Sequence, residues 1–419
     1  MRAIKNTTFV LALCVALLYC GVCLGAEPKK KKIVPEPLPL LPAVQQWVAT
    51  LDDQPTAPGA MDDQRVYVPL APTRVVALSR ETGDKVWVRE DVESRWPPVV
   101  VGDTLYIVSV NTIVALDSLT GKDKWSAPFE HELSAPLIAF HAPAPGKVEG
   151  TARSGIDGLL AIADKGLLLS LSKDDGRVLW MRDLGAASRF PPATDGTRAL
   201  VALVDSRAVA VRLSDGRVEW EQKLDGMLNQ PGVAHDRFFV GTNTNMLYAL
   251  DDDSGRVAWK WKAGGDVIGT TGDVKSGAYY ASLDNVLRAV NRGNGNQRWI
   301  KEVPARPLLP PQTYGYGDGK FWEEVVVLTG ATSEIDAFAA KTGKAVGTYQ
   351  PPSDLEGPPL IDSDLKPYRV AMVVITRDGR AIGLIPSAMQ LAEPLVAPLL
   401  TEIPGRKLER ERITPPPTR

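Results

Sequence analysis

Cysteine and histidine are the scarcest reactive side chains in this 419-residue chain, with three of each. Cys14, Cys20 and Cys23 all fall within the first 26 residues, in an uncharged stretch from Asn6 to Ala26 that follows Arg2 and Lys5. His131, His141 and His235 lie far apart, with no HExxH string and no paired spacing, and read as isolated loop histidines. A calcium site needs about six oxygen ligands converging on one point. The acidic run Asp251, Asp252 and Asp253 stands just before a turn glycine, and Asp164, Asp205, Asp284 and Asp378 sit between apolar runs, so all of them read as turn formers. The chain has no nucleophile elbow, phosphate loop or zinc cluster, so no catalytic, cofactor-binding or metal-ligating residue is assigned and no cofactor is expected. The candidate chemistry that remains is that of binding. Arg189 and Phe190 lie in LGAASRFPPATDG (184–196), and Tyr314, Tyr316, Phe321 and Trp322 lie in QTYGYGDGKFWEE (312–324). Exposed aromatics and arginines anchor protein interfaces; the bland alternative for Phe321 and Trp322 is packing within a strand.

The elements that must position these residues come from an internal repeat. An apolar strand ending in Ala-Leu or similar leads to a polar turn with glycine, and Trp comes four residues after that glycine. The copies are ALSRETGDKVW (77–87), ALDSLTGKDKW (115–125), SLSKDDGRVLW (170–180), AVRLSDGRVEW (210–220), ALDDDSGRVAW (249–259) and AVNRGNGNQRW (289–299), and a seventh, AFAAKTGKAVG (337–347), carries Gly347 where Trp is expected. The turn glycines Gly83, Gly121, Gly176, Gly216, Gly255, Gly295 and Gly343 are spaced by 38, 55, 40, 39, 40 and 48 residues. Each period also holds two earlier strand patterns, as in PPVVVGDTLYIVSVNTIVALD (97–117), where Gly102 and Asn111 sit at hairpin positions suited to positive φ. Four short strands per period make one propeller blade. Proline opens the first strand of most periods, at Pro98, Pro136, Pro192, Pro231, Pro311 and Pro359, where it costs no ladder hydrogen bond, so that strand is expected to line the channel. The tryptophans Trp87, Trp125, Trp180, Trp220, Trp259 and Trp299 are expected to wedge against neighbouring blades, each burying on the order of 200 Å².

Residues 355–386 supply only three strands of a last blade, and AVQQWVATLDDQP (43–55) carries Trp47 in the fourth-strand register. An eight-bladed, all-β propeller of four-stranded antiparallel blades is therefore predicted over residues 43–386, closed by pairing its N-terminal strand with its C-terminal blade so that no sheet edge is left open. Residues 1–26 read as a signal peptide and place the protein in the periplasm, with an uncleaved membrane anchor as the main rival and lipidation disfavoured by Tyr19 and Val22 before the cysteines. Residues 27–42, with Lys29–Lys32 and Pro35, Pro37, Pro39 and Pro42, read as a solvated tether, and residues 387–419 as an extension disordered from about residue 404. The net charge of −2 gives no basic face for nucleic acid, and a monomer is expected.

The Gly-to-Trp repeat resembles the quinoprotein (PQQ-type) propeller repeat, and the likeness covers almost all of residues 43–386. It implies the propeller fold. For a member of this size with an export signal and no further domain, it also implies a scaffold that docks on protein partners in the cell envelope, the outer-membrane β-barrel insertion machinery among them. The family's docking loops lie between blades, where Arg189 and Phe190 stand here without the flanking leucines. The same repeat builds quinone- and calcium-dependent dehydrogenases, which often carry two adjacent cysteines over the quinone; a chain cleaved near Glu27 keeps no cysteine. An extracytoplasmic sensor or ligand-binding propeller is the third alternative.

Overall fold

The computed structural model describes residues 40–142, 156–273, 277–316, 323–362 and 369–387, all within one compact unit. Residues 1–26, most of the tether and the extension from residue 388 lie outside the described residues. Among the described residues no helix is long and apolar enough to cross a membrane.

Eight four-stranded antiparallel sheets succeed one another along the chain, as the repeat predicts. Blade 1 consists of Ala60–Met61, Arg65–Leu70, Arg74–Ser79 and Lys85–Arg89, here called strands a to d from the channel outwards. The d strands of blades 2 to 7 are Asp123–Pro128, Val178–Asp183, Val218–Lys223, Val257–Lys262, Gln297–Glu302 and Ala345–Tyr349. Blade 8 takes Leu360–Ile361, Met372–Thr376 and Arg380–Pro386 from the C-terminal part and Ala43–Thr50 as its d strand, paired from Ala43 with Pro386 to Thr50 with Arg380. The six prolines fall just ahead of their a strands, and neighbouring a strands approach one another around the axis.

The core is distributed. Among the described residues eight buried clusters form, and each straddles two adjacent blades, so no blade buries its faces alone. The tryptophans are the pins between them. The Trp four residues after the turn glycine in blades 1 to 6, and Trp47 in blade 8, each stack on the turn glycine of the next blade and donate the indole N–H to a carbonyl in the same turn. The acceptors are Arg80, Ser118, Lys173, Leu213, Asp252, Arg292 and Ala340, at 2.7–3.1 Å, for Trp47, Trp87, Trp125, Trp180, Trp220, Trp259 and Trp299. The residue paired with each Trp across the c–d ladder is small, Ala77, Ala115, Ser170, Ala210, Ala249, Ala289 or Gly383, and leaves room for the indole. The Ala of the lead-in is thus the counterpart of the Trp. At Gly216, with φ +69°, an added Cβ would stand 2.4 Å from Cε3 of Trp180. Gly216→Ala is expected to cost about 1–3 kcal/mol from backbone strain and a displaced indole, read as a lower denaturation midpoint; an unchanged midpoint would contradict the pin.

Two details differ from the expectation. The positive φ in the second hairpin of blade 2 falls on Val110 (51°), one residue before Asn111. Val110 is 67% exposed, so nothing apolar holds its side chain elsewhere. The tether, read as solvated to residue 42, is packed at its end, with Leu40 and Leu41 1% and 0% exposed between blades 7 and 8. This also accounts for Gly347. Blade 8 is built from the two ends of the fold and has no c–d turn, so the indole of blade 7 would have no receiving glycine. The backbone of Leu41 and Pro42 fills that place, 2.7 Å from where a Cβ on Gly347 would stand.

Candidate functional site

The two rims of the ring differ in chemistry. On one rim, the a–b turns meet the c–d turns of the neighbouring blades, and their aspartates are tied to cations: Asp62 to Arg65, Asp103 to Lys124, Asp195 to Arg198, Asp236 to Arg237 and Arg292, Asp273 to Arg298 and Asp362 to Arg80. Arg198 also pairs with Glu219 and with Asp253 of the next blade. The acidic run 251–253 is a turn, as read, with Asp251 accepting from the Ser254 backbone and hydroxyl. Each of these six aspartates is therefore paired within the molecule.

The other rim carries the b–c turns and the linkers that run from one blade to the next. The linker between blades 3 and 4 presents Arg189 and Phe190. Ser188 is buried and its hydroxyl donates to the Phe190 carbonyl at 3.1 Å, fixing the turn, while the pyrrolidine rings of Pro191 and Pro192 restrict the backbone leading into blade 4. Val204 in the adjoining b–c turn is tied by its backbone N–H to the Ala187 carbonyl at 2.9 Å. Arg189 and Phe190 share a shallow cleft of about 20 Å³ with Ala202, Val204, Met227 and Leu228. Val204 and Met227 are 41% and 49% exposed, and Arg189 is exposed with no ion pair among the described residues. A guanidinium with no ion pair among the described residues, beside exposed aliphatic and thioether groups and a half-buried aromatic ring, matches the composition of an interface anchor.

The same string recurs: Ser94-Arg95-Trp96-Pro97-Pro98 repeats Ser188-Arg189-Phe190-Pro191-Pro192, and Ser94 Oγ donates to the Trp96 carbonyl at 2.8 Å. The turn is therefore a structural element used twice. Its first copy differs in that Arg95 is paired with Glu93 at 3.0 Å. One residue upstream the sequence already shows the difference, with Glu93 before the first string and Ala187 before the second, so that Arg95 has a neighbouring carboxylate and Arg189 has none.

The second predicted group is not assembled as one patch. Tyr314 stands in the a strand of blade 7 and lines the channel, Tyr316 ends that strand, and Phe321 and Trp322 lie outside the described residues. The channel holds a cavity of about 500 Å³ walled by linker prolines, Gln230, Gln312, Thr271, Thr313 and Tyr314, and none of its described lining residues is charged. Burial pushes the Tyr314 hydroxyl above the ordinary phenol range, so it stays protonated. This wall does not fit the quinone and calcium of the dehydrogenases. It offers no carboxylate to a divalent cation and no cation to an anionic quinone.

The histidines are placed singly. His131 packs edge-on against Phe129 at 5.9 Å in a linker, and His235 takes φ 56° in an a–b turn. His141 departs from the loop reading. It lies in the a strand of blade 3, directly across the ladder from Asp157, whose carboxylate it touches through Nδ1. Lys173 and then His141 hold the Asp157 carboxyl below the usual carboxylate range. Among the described residues no group of three or more His, Cys, Asp or Glu side chains is arranged to hold a metal ion.

The family model described as outer membrane protein assembly factor BamB matches residues 44–146, 141–231 and 224–382. The chain is 21% identical over 299 residues to a tetrathionate hydrolase of Acidithiobacillus ferrooxidans, covering 66% of this chain and 54% of that protein. It is 24% identical over 257 residues to the outer membrane protein assembly factor BamB of Xanthomonas campestris pv. campestris, covering 49% of this chain and 63% of the relative. The chain thus spans between half and two thirds of these relatives' lengths. The crystal structure of BamB from Moraxella catarrhalis superposes with a TM-score of 0.57 at 16% identity, over 82% of this chain and 97% of that one, a likeness of fold.

Proposed function

The chain belongs to the family described as outer membrane protein assembly factor BamB, and from that premise we propose that it is a non-catalytic, exported scaffold that docks in the cell envelope on the machinery inserting outer-membrane β-barrel proteins. The observation that carries this reading is the linker rim around Arg189, where an exposed guanidinium with no ion pair among the described residues and exposed Val204 and Met227 side chains flank the half-buried Phe190 on a rigid ring. Binding residues on loops positioned by a stiff scaffold are the usual arrangement for such surfaces.

The tetrathionate hydrolase relative favours an enzymatic reading of the same fold. Against it stand the uncharged wall of the channel and the separation of the histidines. A dianionic substrate entering that cavity would lose hydration with no cation to replace it.

Affinity capture on the tagged protein from envelope extracts tests the docking reading. The barrel-insertion machinery is expected among the partners, and Arg189→Ala with Met227→Ala is expected to weaken its binding by about 10- to 100-fold, the effect of truncating two anchors. Retention of full binding by the double variant, or recovery of unrelated partners alone, would sink the proposal. Turnover of tetrathionate, or dye-linked oxidation after addition of quinone and calcium, would restore the enzymatic reading.

A further inference from the structure

We propose that the channel cavity is a binding site for a small, uncharged, hydroxyl-rich ligand of the saccharide class, separate from the linker rim. The cavity, about 500 Å³, lies within the size range of small-molecule sites and is not shared evenly by the eight blades. Its polar lining comes from blades 6 and 7 and the linker into blade 5, while prolines of other linkers, Pro136, Pro191 and Pro358, form the far wall.

The hydrogen-bonding inventory defines the ligand. Thr313 Oγ1 donates to the Gly272 carbonyl at 2.9 Å, so in the 3.0 Å contact between Thr271 Oγ1 and Thr313 Oγ1 it is Thr271 that donates. This relay crosses from blade 6 to blade 7 and leaves the Thr271 oxygen as an acceptor. Gln230 and Gln312 make no side-chain hydrogen bond among the described residues, and neither does the Tyr314 hydroxyl. The wall therefore presents two free amides, each a donor and an acceptor, one free phenol and one oriented acceptor. A ligand that both donates and accepts at several adjacent positions satisfies such a set, as vicinal hydroxyls do. The absence of charge on the described wall disfavours an anion or a cation, which would surrender hydration without a counter-charge. Proline rings and the Tyr314 ring supply rigid apolar faces for the C–H surface of a sugar ring, and prolines have little rotamer entropy to lose on binding.

Calorimetric titration of the whole protein with trehalose, maltose and N-acetylglucosamine, and with glucuronate and glucosamine as charged counterparts, tests the assignment. At least one neutral sugar is expected to bind with a Kd of about 1 mM or below, and each charged counterpart about tenfold more weakly or not at all. Gln312→Ala is expected to weaken the neutral sugar by about tenfold with little change in thermal stability, because its half-buried side chain makes no hydrogen bond among the described residues, and Thr313→Val to weaken it about as much with a measurable loss of thermal stability, because it also breaks the relay between blades 6 and 7. Arg189→Ala should leave it unchanged. Failure of all three neutral sugars at about 20 mM, equal binding of the charged ones, or full binding by Gln312→Ala would overturn the proposal and leave the docking reading untouched.

Discussion

Trp47→Ala is expected to lower the unfolding free energy by about 3–5 kcal/mol, the cost of emptying a buried aromatic site. Three losses coincide there. The indole is 8% exposed and sits in the cluster that joins blade 8 to blade 1. Its N–H donates to the Arg80 carbonyl at 2.8 Å in a buried position, and that acceptor would be left without its donor. Its ring fills the space kept by Gly83 and Gly383, where added Cβ atoms would come within 2.5 and 2.2 Å of it. The other pins join blades that are consecutive in the chain, and a blade loosened there stays tethered on both sides. Trp47 belongs to a d strand that reaches its own sheet only through non-local pairing with Arg380–Pro386. Its loss is therefore expected to free the strand Ala43–Thr50 as well, and to expose an open sheet edge. Denaturant titration of Trp47→Ala beside Trp87→Ala, with limited proteolysis of both, measures the difference: cleavage near the N-terminal strand should rise in the first and not in the second. Trp47→Phe keeps most of the apolar area and should cost about 1 kcal/mol for the lost N–H bond in addition to a modest packing term. Equal stability of Trp47→Ala and the unsubstituted protein would mean that the seam is held by something other than this pin.

That much of the architecture could be read from residues is a consequence of repetition. Glycines that need positive φ, the small residue opposite each repeat Trp and the proline ahead of most inner strands are local demands, and most blades impose them again. Eight blades, the Gly-to-Trp pins and the split last blade emerge from counting them. Repetition cannot encode contact between residues that are unique or distant. The meaning of Gly347 depends on Leu41 and Pro42, about 300 positions earlier in the chain, and a string search reports only that a Trp is missing. His141 looked like a loop residue because the long interval after it hides the strand pairing with Asp157. The rims could not be told apart because each aspartate of the a–b turns reads alone as a turn former, and for Asp236 and Asp362 a partner comes from another blade. The candidate site was legible at Arg189 and Phe190 but without Val204 and Met227, which are separated in sequence and joined only by the linker geometry. The aromatic group at Tyr314 was noticed for its composition, while its place in the channel is set by the a-strand position.

The other large effect is expected at the same seam, from a charge and not a ring. Arg80 is the bulkiest of the fully buried side chains among the described residues, 1% exposed. It stands in the c–d turn of blade 1, donates through Nε to the Val370 carbonyl at 2.9 Å, and pairs with Asp362, which is 8% exposed; both partners belong to blade 8. Arg80→Met is expected to cost about 3–5 kcal/mol, because it removes the guanidinium from a carboxylate held out of water. Lys85 and Asp52, an exposed pair joining the same two blades, set the contrast, and breaking them should leave the denaturation midpoint almost unchanged because solvent screens the pair. If the buried pair serves register more than net stability, Arg80→Met with Asp362→Leu should recover most of the loss, since a packed apolar pair can equal a buried ion pair. The backbone and side chain of this one residue hold different parts of blade 8, the carbonyl receiving Trp47 and the guanidinium gripping the a–b turn. Substitutions at 47 and 80 should therefore be non-additive by about 1 kcal/mol or more in denaturant titration, because either one alone releases the turn that both rely on. Strict additivity would show that the two grips fail independently, and that ring closure is the sum of separate contacts and not a single cooperative joint.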